Sequence, residues 1–97
     1  MFDKILARPC ETFTDASKIS VLLQRRVQKL YDKTDNLRSR ALLRDTPQSW
    51  GEYRNAQRIL EVASAEIEDA GYEVSADDEY HTYTVAPSWH LLLRLTR

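Results

Sequence analysis

The sequence predicts an α+β fold. An antiparallel helical hairpin, one long helix and one shorter, packs on a C-terminal antiparallel β-meander of two or three strands. Three observations carry this expectation. Residues 15–45 are a run of 31 without Gly or Pro, with apolar side chains at helical spacing. Residues 50–70 repeat that spacing and run into Gly71. After Gly71 the alternation of apolar and polar residues drops to a period of two, the period of a strand.

Met1 to Pro9 is weakly patterned. Phe2, Ile5 and Leu6 suit one turn of helix or a short strand that patches the core, and Pro9 interrupts it. Thr12, Thr14 and Asp15 are good helix N-cap types. In the long helix after them, Ile19, Leu23, Val27, Leu30, Thr34, Leu37 and Ala41 fall in one stripe. Beside it Lys18, Arg25, Arg26, Lys29, Lys33, Arg40 and Arg44 form a second stripe within an arc of roughly 100°. At 1.5 Å per residue this helix is about 46 Å long, against a radius of gyration of about 12–13 Å for a compact domain of this size. It therefore projects and is covered by a partner, or it breaks. Thr34, Asp35 and Asn36 are weak helix formers and mark the place for a break.

Ser49 and Glu52 read as a capping box, which starts the second helix near Trp50. Its apolar arc is Trp50, Tyr53, Ala56, Leu60, Ala63, Ile67 and Ala70, with Gly71 suited to a left-handed C-cap. The short connection makes the two helices antiparallel. Alternating three- and four-residue steps, from Ser20 to Ala41 and from Trp50 through Gln57 and Ser64 to Ile67, predict coiled-coil-like packing. Strands are expected over residues 72–76, 79–86 and 89–96, with turns at Asp77-Asp78 and Pro87-Ser88. Trp89, Leu91, Leu93 and Leu95 would face the helices.

Ninety-seven residues make a single domain over 1–97. Apolar residues at 42% and charged ones at 30% are ordinary for a soluble globular chain. The formal net charge of -1 hides an asymmetry. Residues 1–58 carry 12 basic and 7 acidic side chains, whereas residues 59–93 carry 8 acidic and no basic ones. Cys10 is the single cysteine, so no internal disulfide forms. No stretch is apolar enough to span a membrane, and the N-terminus does not read as a signal peptide. The expected location is cytoplasmic.

The residues that bear chemistry form no catalytic pattern. His81 and His90 lack a placed nucleophile or carboxylate partner, and Cys10 lacks an activating base. Two His and one remote Cys are too few for a metal centre. Both glycines stand alone, so there is no phosphate-binding loop and no cofactor is expected. The expectation is a small non-enzymatic regulatory or inhibitory protein that acts through protein–protein contacts, with self-association as a homodimer. The β-hairpin register is open; with a two-residue turn at Pro87-Ser88 the contact residues are Tyr83, His90, Leu92 and Arg94 on the outer sheet face, with Arg25, Lys29 and Arg40 on the long helix, whereas a loop one residue longer mixes the two faces. Tyr and Arg beside an exposed Leu suit an interface, and a final edge strand offers free backbone groups. The second expectation is nucleic-acid binding along the basic stripe. A net charge near zero, a pI near 6.1 and the lack of interleaved aromatics weigh against it.

Overall fold

The computed structural model describes residues 2–77, 79 and 81–95. The elements in order are α1 (Asp3–Leu6), α2 (Phe13–Arg44), α3 (Pro47–Asp69), β1 (Tyr72–Asp77), β2 (Thr82–Pro87) and α4 (Trp89–Leu95). A capping box starts α2. The Asp15 N–H donates to Thr12 Oγ1 at 3.1 Å, and the Thr12 N–H donates to Asp15 Oδ2 at 3.2 Å. The Glu11 N–H adds a bond to the same carboxylate, and these donors hold Asp15 below the usual carboxylate range. The helix then runs unbroken for 32 residues, through Thr34, Asp35 and Asn36. Thr34 is accommodated because its hydroxyl donates to the Leu30 carbonyl at 2.7 Å, so a buried polar group is satisfied inside the helix.

Asp45, in the left-handed conformation, ends α2 by donating its N–H to the Ala41 carbonyl. Only Asp45 and Thr46 separate the two helices. The second helix starts earlier than near Trp50, because Thr46 and not Ser49 is its N-cap. Ser49 answers Thr46 in a reciprocal capping box, and Pro47 takes the first turn, where its missing N–H costs nothing. Buried or half-buried residues on α2 keep the expected alternating steps, from Ser20 through Leu23, Val27, Leu30, Thr34 and Leu37 to Ala41. The matching seam on α3 runs Ser49, Tyr53, Ala56, Leu60, Ala63, Ile67, so Trp50, Gln57 and Ser64 stand beside it rather than in it.

β1 and β2 form a two-stranded antiparallel sheet in which Tyr72 pairs with Pro87, Val74 with Val85 and Ala76 with Tyr83. The expected turn at Asp77-Asp78 lies further along, since Asp77 still pairs with Thr82. His81 ends that turn at φ 51°. Asp78, Tyr80 and Thr96, placed in the expected turn and strands, lie outside the described residues.

The expected third strand over residues 89–96 is instead the short helix α4. Two facts explain the difference. Ser88 caps the helix, accepting the Leu91 N–H on Oγ and the Leu92 N–H on its carbonyl oxygen. The edge of β2 that a third strand needs is already occupied, because side chains from α2 bond to it. Leu91, Leu92 and Leu95 then turn inward at helical spacing, while Trp89 and Leu93 are exposed.

The core lies at the sheet end of the hairpin. Leu23, Val27 and Ile67 are its largest fully buried side chains, and Phe2, Ile5, Leu60, Tyr72, Val85 and Leu91 close around them. Tyr72 directs its hydroxyl to within 3.9 Å of Cys10 Sγ, and burial together with the thiol pushes its phenol well above the ordinary tyrosine value. The far half of the helical hairpin extends past this core. The molecule measures 54 × 26 × 17 Å, with a radius of gyration of 15.5 Å. Leu42 and Leu43 near the hairpin tip are 61% and 88% exposed.

Candidate functional site

A groove of about 420 Å³ opens where the sheet stops and the bare helices begin. Successive turns of α2 supply Tyr31, Thr34, Asp35 and Arg38. Successive turns of α3 supply Tyr53, Gln57, Leu60, Glu61, Ser64, Ala65 and Glu68. Tyr83, from β2, closes the sheet end. Thr34 and Leu60 are buried and form the floor, and the three tyrosines are half-buried in the walls. The Tyr31 and Tyr83 rings meet at 4.9 Å with a 51° tilt. Tyr53 stands edge-on to Trp50 at 6.1 Å. The Tyr31 hydroxyl lies 3.3 Å from His81 Nδ1, which ties the turn of the β-hairpin to α2.

Two glutamines on α2 set the sheet against the groove. The Tyr83 N–H donates to Gln28 Oε1 at 2.8 Å, and the Val85 N–H donates to Gln24 Oε1 at 3.1 Å. Gln28 also donates through Nε2 to the His81 carbonyl at 3.0 Å. These bonds seal the outer edge of β2. In an antiparallel pair, residues that face each other point their backbone groups the same way relative to the ladder. Val74 and Ala76, opposite Val85 and Tyr83, therefore turn their N–H and C=O groups outward, so the open edge belongs to β1.

The residues expected at the interface do not form one surface. Tyr83 packs against Tyr31 of α2 and is half-buried, where a fully exposed position was expected. His90, Leu92 and Arg94 are on α4, where a helical turn separates side chains that a strand would align. His90 is exposed and stacks on Trp89 at 4.0 Å, Leu92 is half-buried, and Arg94 is exposed beside Gly71. Among the described residues no free edge strand follows Pro87, since α4 takes its place. Arg25 and Lys29 are exposed and flank a depression of about 580 Å³ shared with Gln24, Gln28 and residues 82–84. Arg40 is exposed on the projecting arm, fifteen residues or about 22 Å along the helix from Arg25.

All seven cations of the stripe are exposed, and among the described residues none is held in an ion pair. Sequence reasoning missed Gln24 and Gln28, although their four-residue spacing between the apolar and basic stripes was a visible signal. It also missed the groove acids Asp35, Glu61 and Glu68, which carry no local signature. Among the described residues, no helix is long and apolar enough to cross a membrane. No protein-family model, curated protein or solved structure matches this chain.

Proposed function

We propose that this chain is a small non-enzymatic binding protein that regulates or inhibits another protein by direct contact. The observation that carries this reading is the groove, an open concave surface walled by Tyr31, Tyr53 and Tyr83. Tyrosine supplies large contact area at low entropy cost and is enriched at binding hot spots. The groove volume falls within the range of natural binding sites, about 300–1,000 Å³. The bare helical arm beside it extends the available surface.

Tyr53→Ala is the informative variant, because Tyr53 lies at the loop end of the groove, away from the buried cluster. Its partner affinity is expected to fall by roughly 1–2 kcal/mol, a usual cost at a hot spot. Quantitative recovery of partner from host lysate, with thermal melts of both proteins, measures this. Equal recovery by wild type and variant overturns the reading.

A second reading rests on a separate observation: seven exposed cations along one face of α2, none in an ion pair among the described residues. Arg25, Lys29 and Lys33 succeed one another at four-residue steps, about 6 Å apart along the axis. Such a row suits a phosphate backbone. Replacing Arg25, Lys29 and Arg40 by Glu is then expected to abolish nucleic-acid binding without unfolding the chain. If the wild type binds neither DNA nor RNA at about 50 mM salt, a condition that favours phosphate contacts, this second reading fails.

A further inference from the structure

We infer that the groove takes a cationic segment of its partner, with a Lys or Arg side chain seated at the sheet end beside Tyr31 and Tyr83. This inference rests on the groove being the partner site and adds the chemistry of the occupant.

The ionisable residues of the groove, tyrosines aside, are Asp35, Glu61, Glu68 and Arg38, three carboxylates against one guanidinium. Among the described residues none of the three carboxylates is engaged by an ion pair or a side-chain hydrogen bond. The excess is not evenly spread. Arg38 lies seven residues from Tyr31, about 10 Å further towards the hairpin loop. Glu61 and Glu68 are seven residues apart on α3, so two turns of helix present them on one face about 10 Å apart. The carboxylates without a compensating cation therefore run from mid-groove to the sheet end.

Aromatic geometry points the same way. Tyr31 and Tyr83 meet at 4.9 Å with tilted rings at that end. A guanidinium or ammonium within about 6 Å of such a ring is attracted by its negative face. The buried floor of Thr34 and Leu60 suits the methylene stem of a long basic side chain, which lies along apolar surface while its head reaches the carboxylates. An anionic partner would meet repulsion here and has the basic face of α2 instead.

Fluorescence anisotropy with a labelled octa-arginine peptide tests this, with an uncharged Gly-Ser peptide of the same length as control. The wild type is expected to bind octa-arginine and not the Gly-Ser peptide. The double variant Glu61→Gln/Glu68→Gln should lose affinity by about tenfold, towards the upper end for two exposed carboxylates that each contact a bound cation directly. The double variant Asp69→Asn/Glu73→Gln removes two exposed acids outside the groove and should change affinity by no more than about twofold, as for exposed charges. Equal losses in the two double variants would mean attraction to net acidity and would overturn the inference. Absence of octa-arginine binding to the wild type would also overturn it. In that case a partner lost by Tyr53→Ala would still stand for the groove as a protein-binding site.

Discussion

Leu23→Ala is expected to destabilise the fold by about 3 kcal/mol, within the 2–5 kcal/mol usual for truncating a buried leucine. Leu23 is 0% exposed and packs in the cluster that joins α2 to α3, the sheet and the N-terminal turn. Its removal costs transfer energy and leaves a cavity, because helices held by capping boxes at both starts cannot easily close over the gap. Small domains have only about 5–15 kcal/mol in total, so the loss is a large share. Thermal unfolding followed by circular dichroism should show a fall of roughly 12–24 °C, from about 4–8 °C per kcal/mol in chains of this size. Leu43→Ala, at an 88% exposed position on the arm, should stay within about 0.5 kcal/mol of wild type. Similar small effects at both positions would mean that the core is not where Leu23 lies.

Gly71→Ala is expected to cost about 2 kcal/mol, from within the 1–3 kcal/mol range of backbone strain, with a melting temperature lower by roughly 8–16 °C. Gly71 joins α3 to β1 at φ 102°, which side-chain-bearing residues rarely adopt. An added Cβ would lie 3.4 Å from both Leu91 Cβ and Arg94 Nη2, at the near limit of ordinary contact, so the cost comes from the backbone conformation and not from a clash with α4. The Gly71 carbonyl accepts the Ser88 N–H at 2.9 Å, which makes this residue the meeting point of α3, β1 and the start of α4. Gly51→Ala is the contrast. Gly51 is inside α3 with open space around it, and alanine there should raise stability by about 0.5–1 kcal/mol through helix propensity. A Gly71→Ala protein as stable as wild type would show that the junction is not strained.

Some of this architecture is written locally. The stripe from Ile19 to Ala41 and the arc from Tyr53 to Ile67 specify two amphipathic helices, because a 3.6-residue period survives whatever the chain later packs against. The loop of Asp45 and Thr46 is too short for anything but an antiparallel return. The period of two after Gly71 specifies strands. The weak formers from Thr34 to Asn36 do not break α2, since Thr34 bonds its own helix and lies buried in the seam. That outcome depends on packing against α3, which local propensity does not contain.

The segment after Pro87 shows where local information ends. Leu91, Leu92 and Leu93 in a row fit a strand face and a helix face equally well, because a short apolar run has no period of its own. Tertiary structure decides: Gln24 and Gln28 take the β2 edge, Ser88 caps the first turn beyond it, and α4 forms. That decision moves His90, Leu92 and Arg94 off the sheet and turns Tyr83 towards Tyr31. The groove itself draws on α2, α3 and β2, segments distant from one another along the chain. Sequence alone determined which residues are amphipathic, and therefore the helical hairpin and the strands that cover one end of it. Only the docking of β2 along α2 decided which tyrosines and carboxylates share a surface, because that docking rests on side-chain-to-backbone bonds between positions that no local period relates.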